Sequence, residues 1–432
     1  MAYQFRSRFP VAHARHPDEE RAERADDLNE PVARSLEYWA AIRGREPALF
    51  EGQSLLTYRD WNEYSDLLAD AFVDRGLGVD DVIAVRCRNR IEWAVIAVAC
   101  AKIDARLLTL DPNAQSAAIR RQMIASRAAA IIVGDTAPIR IARALDGLSL
   151  RLRASMDGAF PGFFNFWDLF PPVAQPRFGR QQPSLMAWTP GTGEGFVTLP
   201  RRRAAPASIS RPPAPDTGAS LLTVPMHRTW GCTQFWAALA SGRTMVLMRA
   251  FNAADALKAI HERCVTHWAA FPETFVELHR HADLLDAADT SSLQAVIIGG
   301  AAAPWMLKRW LKDAFGLAVS EAYGSAQTGH IATLAAEAFT AKRGSCGKPI
   351  RGAAVEIRDA EGRRLPPGVV GEIWARTPRT LEAELGGEAR QVRRDVHGFV
   401  ATCDAGHIDH DGFLYLAGRS DHLSTMPALK AG

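Results

Sequence analysis

Short runs of apolar, β-favouring residues alternate with longer stretches of helical period, and this alternation restricts the architecture more than any other feature of the chain. The run VIAVRC (82–87) reads as a strand, IEWAVIAVACAKI (91–103) as a buried helix and RLLTL (106–110) as another strand. Strands separated by helices need crossover connections, which makes them parallel neighbours in a sheet with helices on its faces. The same texture returns at AAAIIVG (128–134), LLTVP (221–225), TMVLM (244–248) and AVIIGG (295–300). An α/β fold follows. Locally, Thr57 stands where a helix would be capped, with Asp60 at the capping-box offset, and Gly76 is placed to stop that helix.

After Ala338 the runs shorten and are punctuated by Gly and Pro (GKPIRGAAVEIRDAEGRRLPPGVVGEIWAR), which predicts β-hairpins or a small barrel. Between Gln175 and Ser220, Pro, Arg, Gly and Ser crowd together and predict a long surface loop. The first 30 residues mix Arg with acids and have no apolar centre, so they read as a loosely held arm rather than a secretory signal. No fixed-period repeat is present, which argues against solenoids and propellers.

With 432 residues there is room for two or three domains or subdomains. The balance of 51 basic against 48 acidic residues, net +3, does not point to a nucleic-acid partner. The most apolar run, Trp93 to Ala101, is broken by Lys102 and Asp104, short of the roughly 20 residues a bilayer span needs. None of the six cysteines has C-x-x-C spacing, so reduced, mostly buried thiols in a cytoplasmic protein are expected.

Several longer motifs occur in a fixed order. They begin with LTYRDWNEYSDLLADAFVDRGLGVDDVIAVRCRN, LLTVPMHRTWGCTQFWAAL and AAFPETFVEL. SSLQAVIIGGAAAP, EAYGSAQTG, GKPIRGAAVEIRDAEGRRLPPGVVGEI and GFVATCDAGHIDHDGFLYLAGRSD follow. Together, from about Leu55 to Asp421, they resemble the adenylate-forming superfamily, which includes acyl-CoA and aryl-CoA synthetases and peptide-synthetase adenylation domains. The resemblance implies that superfamily's large N-terminal domain at 31–417, behind an arm at 1–30. It consists of two helix-covered β-sheet subdomains and a small distorted β-barrel near 339–417. Residues 418–432 would be a hinge remnant: Asp421 resembles the hinge residue, no C-terminal domain follows within the sequence, and Lys430 lies too near the hinge to replace that domain's lysine.

The implied chemistry is attack of a carboxylate on the α-phosphate of ATP, giving an acyl-adenylate and pyrophosphate, then transfer to a thiol of coenzyme A or of a carrier protein's phosphopantetheine. Charge gathering on phosphate oxygens must be met by cations and N–H groups. By resemblance, Asp404 would accept both ribose hydroxyls, Arg419 would reach the ribose or phosphate, and Tyr323, beside Gly324, would stack on adenine. Gly299, Gly300 and Ala301 would line its other side. Read without the resemblance, Asp404 instead opens an acidic, calcium-like loop with Asp409 and Asp411, or caps a turn.

Three departures stand out. In WTPGTGEGF the backbone of Thr189, Gly191, Thr192 and Gly193 can still meet phosphate, but Pro190 removes an N–H, Glu194 adds negative charge and no lysine follows; Arg201, Arg202 and Arg203 stand downstream. Gln327 occupies the position of the glutamate that holds Mg²⁺, so metal binding should be weak. Arg228 stands where a histidine is common, with His227 before it, and is placed to pair with the substrate carboxylate. Trp230, Phe235 and Trp236 either shape an acyl slot or form core, and His407 and His410 read as exposed turn residues rather than metal ligands. Two functions remain open. One is an AMP-forming ligase for an aryl or fatty acid, assisted by an acyl carrier protein or a separate lysine-bearing domain; the other is a noncatalytic nucleotide-binding or partner-binding module.

Overall fold

The computed structural model describes residues 32–135, 139–170, 184–188, 196–198, 216–325, 327–377, 384–385 and 393–420. Five layers, helix on sheet on helix on sheet on helix, follow from which face of each strand is apolar. In the smaller sheet, Val82–Arg86 lies between Arg106–Leu110 and Ala128–Val133, all parallel, and Leu152–Ser155 continues outward. Ile83, Val85, Leu107 and Ile132 point to one side, where the helices Tyr58–Val73, Ile91–Lys102 and Thr229–Ser241 lie. Ala84, Leu108, Ile131 and Val133 point to the other, against Ile119 and Met123 of the Ser116–Ser126 helix. Strands buried on both faces read as continuous apolar runs, which is why they were legible without alternation.

The larger sheet has a parallel centre in the order Ala295–Gly299, Val265–Ala270, Ala219–Leu222 and Thr244–Leu247. Leu222, Met245 and Leu247 share the middle helical layer, whereas Leu221, Val246 and Trp268 face the outer helices Ala253–Glu262 and Pro272–Arg280. The two sheets therefore close on one common apolar layer. Asn89 adds a polar clamp: its Nδ2 donates to the carbonyls of Leu222 (3.2 Å) and Val224 (3.0 Å), and its Oδ1 accepts from Met226 N–H at 2.7 Å.

Thr57 caps the Tyr58–Val73 helix with Asp60 in a reciprocal capping box, and Gly76 follows in the left-handed region at φ 72°. The Gly/Pro-rich segment forms the expected antiparallel hairpins but not the expected barrel. Its strands Ser345–Pro349, Leu414–Arg419, Val400–Ile408, Gly371–Arg376 and Ala354–Arg358 extend the large sheet to 13 strands, and no separate barrel closes among the described residues. Among the described residues no α-helix follows Trp305–Phe315 in the chain to cover this outer edge. Arg358 and Arg376 cover Phe399, and Arg358 and Arg393 cover Trp374, so guanidinium groups on aromatic rings do the work of a covering layer. The loop expected from Gln175 to Ser220 likewise contains two strands, Ser184–Trp188 and Phe196–Thr198, since apolar SLMAW finds a parallel partner in Arg106–Leu110. All six cysteines are free, four of them buried. No helix among the described residues is long and apolar enough to cross a membrane.

Candidate active site

Strand order brings together residues that are distant in sequence. Val319–Ser325 lies parallel to Ala295–Gly299 with Gly299 opposite Ala322, so the glycine turn Gly299–Gly300–Ala301 and the Tyr323–Gly324 pair leave the same sheet edge. Gly300 has φ +75°, and a Cβ there would fall 2.4 Å from the Phe271 ring, so only glycine fits. Trp230 and Phe271, ring centroids 5.4 Å apart, form an aromatic wall against these glycines.

Asp404 and Arg419 face each other in register across an antiparallel pair. Arg419 Nη1 donates to Asp404 Oδ1 at 2.9 Å, and the Tyr323 hydroxyl donates to Asp404 Oδ2 at 2.8 Å. Burial, reinforced by the Asp404 charge, pushes the Tyr323 phenol well above its ordinary range, so it remains a proton donor. The ring is only 8% exposed, packed among Ile331, Cys346 and Ile373. Any base it meets must approach the small part left open beside exposed Gly324. The acidic-loop alternative does not form: Lys342 takes Asp409 at 2.9 Å and also Asp411, while Asp409 Oδ1 accepts the N–H groups of Asp411 and Phe413. His407 stacks on Tyr415 (4.8 Å, 2°), and His410 is exposed.

Cys403, beside Asp404, sits at φ +61°, a conformation that costs a side-chain-bearing residue about 1–2 kcal/mol. Cys403→Gly is expected to raise stability by about 1 kcal/mol once the extra freedom of an unfolded glycine is set against the relieved strain. A melting temperature equal to or below that of the parent chain would count against this strain.

Gln327 is 3% exposed, in the turn after Val319–Ser325 that Thr377 holds through the carbonyl of Thr328. It offers a neutral amide oxygen. Among the described residues no three His, Cys, Asp or Glu side chains gather to hold a metal. Mg²⁺ prefers charged oxygens, so Gln327 alone does not fit a tightly held ion. Thr189, Gly191, Thr192, Gly193 and Arg201–Arg203 lie outside the described residues, as do Asp421 and Lys430.

On the facing side, Arg228 precedes the Thr229–Ser241 helix and is 42% exposed at its side chain. Its Nη2 lies 4.0 Å from Asp111 Oδ2, and His227 Nε2 lies 3.8 Å from Asp111 Oδ1. Asp111 leaves the Arg106–Leu110 strand of the other sheet, and Thr109 Oγ1 donates to the His227 carbonyl at 3.1 Å. Phe235 is fully buried among Trp61, Trp93 and Trp236, hence core; Trp230 alone of the three candidate aromatics borders the glycine turn. Sequence reading missed Phe271 and Asp111. Their signal was position: each immediately follows a parallel strand at its C-terminal end, where ligands bind in such sheets.

Burial holds His227 down to about 4, with Arg228 adding to the shift and Asp111 opposing it. Between that value and 6.5 the unfolded chain binds a proton that the native chain does not. Stability therefore falls as pH drops through this window, by at most about 1.4 kcal/mol per pH unit. His227→Gln is expected to flatten that part of the denaturation-midpoint profile between pH 7 and 5; an unchanged slope would assign the acid loss to other groups.

The chain belongs to the AMP-binding enzyme family, whose model matches residues 36–189 and 203–383. It is 26% identical over 420 residues to 4-coumarate–CoA ligase-like 6 of Oryza sativa subsp. japonica, covering 88% of this chain and 69% of that protein. It is 33% identical over 204 residues to 2-succinylbenzoate–CoA ligase of Bacillus licheniformis, covering 47% of this chain and 41% of that one. The amide bond synthetase McbA of Marinactinospora thermotolerans shares the fold, with a TM-score of 0.78, 24% identity, and coverage of 90% of this chain and 79% of that one.

Proposed function

We propose that this protein is an AMP-forming ligase that activates an aryl or fatty carboxylate with ATP and passes the acyl group to coenzyme A or to an acyl carrier protein. The observation that carries the reading is the joined set Asp404, Arg419 and Tyr323 beside the bare backbone of Gly299–Ala301. In this reading Asp404 accepts the ribose hydroxyls and Arg419 holds its carboxylate turned toward them. The base lies against Tyr323–Gly324 with the glycine turn opposite. Arg228 orients the acid's carboxylate, and Trp230 and Phe271 flank it.

A carboxylate oxygen forms a bond to the α-phosphorus while the bond to the β-phosphate oxygen breaks, and pyrophosphate carries off the charge. The acceptor thiol, losing its proton to solvent, then attacks the acyl carbon and AMP departs. Mg²⁺, when bound, would neutralise phosphate charge, and Gln327 would lend it only a neutral oxygen. The relatives named as ligases favour this reading over a noncatalytic module.

Acid-dependent exchange of labelled pyrophosphate into ATP, scanned over aryl and acyl acids, is the test. Exchange with at least one aryl or fatty acid is the expected result. Measurable AMP binding without exchange for any acid would replace the ligase with the noncatalytic module.

A further inference from the structure

We propose that Asp111 is a built-in competitor of the substrate carboxylate for Arg228, and that it thereby sets the affinity for the acid. The proposal rests on the reading of Arg228 as the acid's partner. The two residues come from opposite sheets, and the contact between them is imposed by the clamps at Asn89 and Thr109 that tie loop 223–228 to the smaller sheet. Asp111 is itself fixed: its Oδ1 accepts the N–H of Asn113 at 2.8 Å, which turns the carboxylate toward His227 and Arg228.

At 4.0 and 3.8 Å the approaches of Arg228 and His227 are too long for hydrogen bonds but close enough for charge attraction. Asp111 thus stands where an incoming carboxylate would have to draw Arg228 away. Drawing it away does not strand Asp111, because the buried Arg86 guanidinium also attracts this carboxylate; among the described residues its Nε and Nη1 have no hydrogen-bond partner. Both members of the Arg228–Asp111 pair are more than a third exposed, so the attraction to be displaced is that of a partly screened ion pair, and the effect of removing it is correspondingly small.

Asp111 acts through Arg228 and is a positioning residue, so the test reads the split between binding and turnover. Asp111→Asn, Arg228→Gln and the double variant are compared with 4-coumarate and octanoate as probes, using exchange kinetics and calorimetric binding of the acid. Asp111→Asn is expected to lower the acid KM about two- to fivefold, with ATP KM and kcat unchanged. Arg228→Gln should raise the acid KM, and adding Asp111→Asn to it should change nothing further. An unchanged or higher acid KM in folded Asp111→Asn overturns the proposal, as does an equal gain with Arg228 already removed. If Asn alters the melting temperature, Asp111→Ser, which keeps an acceptor for Asn113 N–H, supplies the same comparison. Absence of exchange with either probe in the parent chain, and no effect of Arg228→Gln on acid binding, would fell the parent reading. Exchange intact with both Asp111 variants inert fells this inference alone.

Discussion

Asp404→Ala is expected to weaken ATP binding about a hundredfold, the largest single effect in the proposed nucleotide site. A charged acceptor contributes about 1.5–3 kcal/mol per hydrogen bond, and about 2.7 kcal/mol corresponds to a factor of a hundred. The same change removes the acceptor of the Tyr323 hydroxyl and the carboxylate facing Arg419. A buried phenol without that partner costs a further 1–3 kcal/mol or so of stability, so the melting temperature should fall as well. Asp404→Asn separates the two losses, since it keeps the shape and one acceptor oxygen while removing the charge. Calorimetry with ATP checks the first and thermal melting the second. An ATP affinity within threefold of the parent in a folded Asp404→Ala would take this residue out of the nucleotide site.

Lys308→Met should be the most damaging change to stability. Lys308 Nζ meets Glu321 Oε2 at 2.7 Å, with the two side chains 4% and 8% exposed, and also donates to the Ser345 carbonyl at 3.3 Å. Removing one partner of such a pair leaves an uncompensated buried charge and costs about 3–5 kcal/mol, whereas replacing both with apolar groups is often neutral. Glu321 lies two residues before Tyr323 on the same buried face of the strand, so the proposed nucleotide site should loosen with it. Chemical denaturation of Lys308→Met and of Lys308→Met with Glu321→Leu gives the comparison. A loss below about 1 kcal/mol in the single variant, or no recovery in the double, would contradict a stranded buried charge as the cause of the loss.

The strands and helices of the two parallel centres were legible because both faces of each strand are apolar and the runs end at Gly, Pro or charged residues. Asp404, Arg419 and Tyr323 were legible only through resemblance to a family, since no local pattern announces that residues 81 apart will hydrogen-bond. The barrel was expected from short Gly/Pro-punctuated runs, yet such runs do not say whether strands close on themselves or extend a neighbouring sheet; Ser345–Pro349, paired on both sides, decides for extension. Likewise SLMAW lay hidden in a segment judged by its Pro and Arg content, because the partner strand Arg106–Leu110 that makes it a strand is far away in sequence. Asp111 escaped notice because its meaning depends on Arg228 across the other sheet.

The facing pair Asp404 and Arg419 is joined through the hairpin turn that Lys342 and Asp409 pin. Between that turn and the pair the ladder shifts register, Ala405 facing Gly418 but Gly406 facing Leu416, so the strand carrying Arg419 holds one extra residue. That bulge breaks the alternation and re-aims Arg419 relative to the turn, so deleting the extra residue should turn the guanidinium away from Asp404 even with the turn left intact.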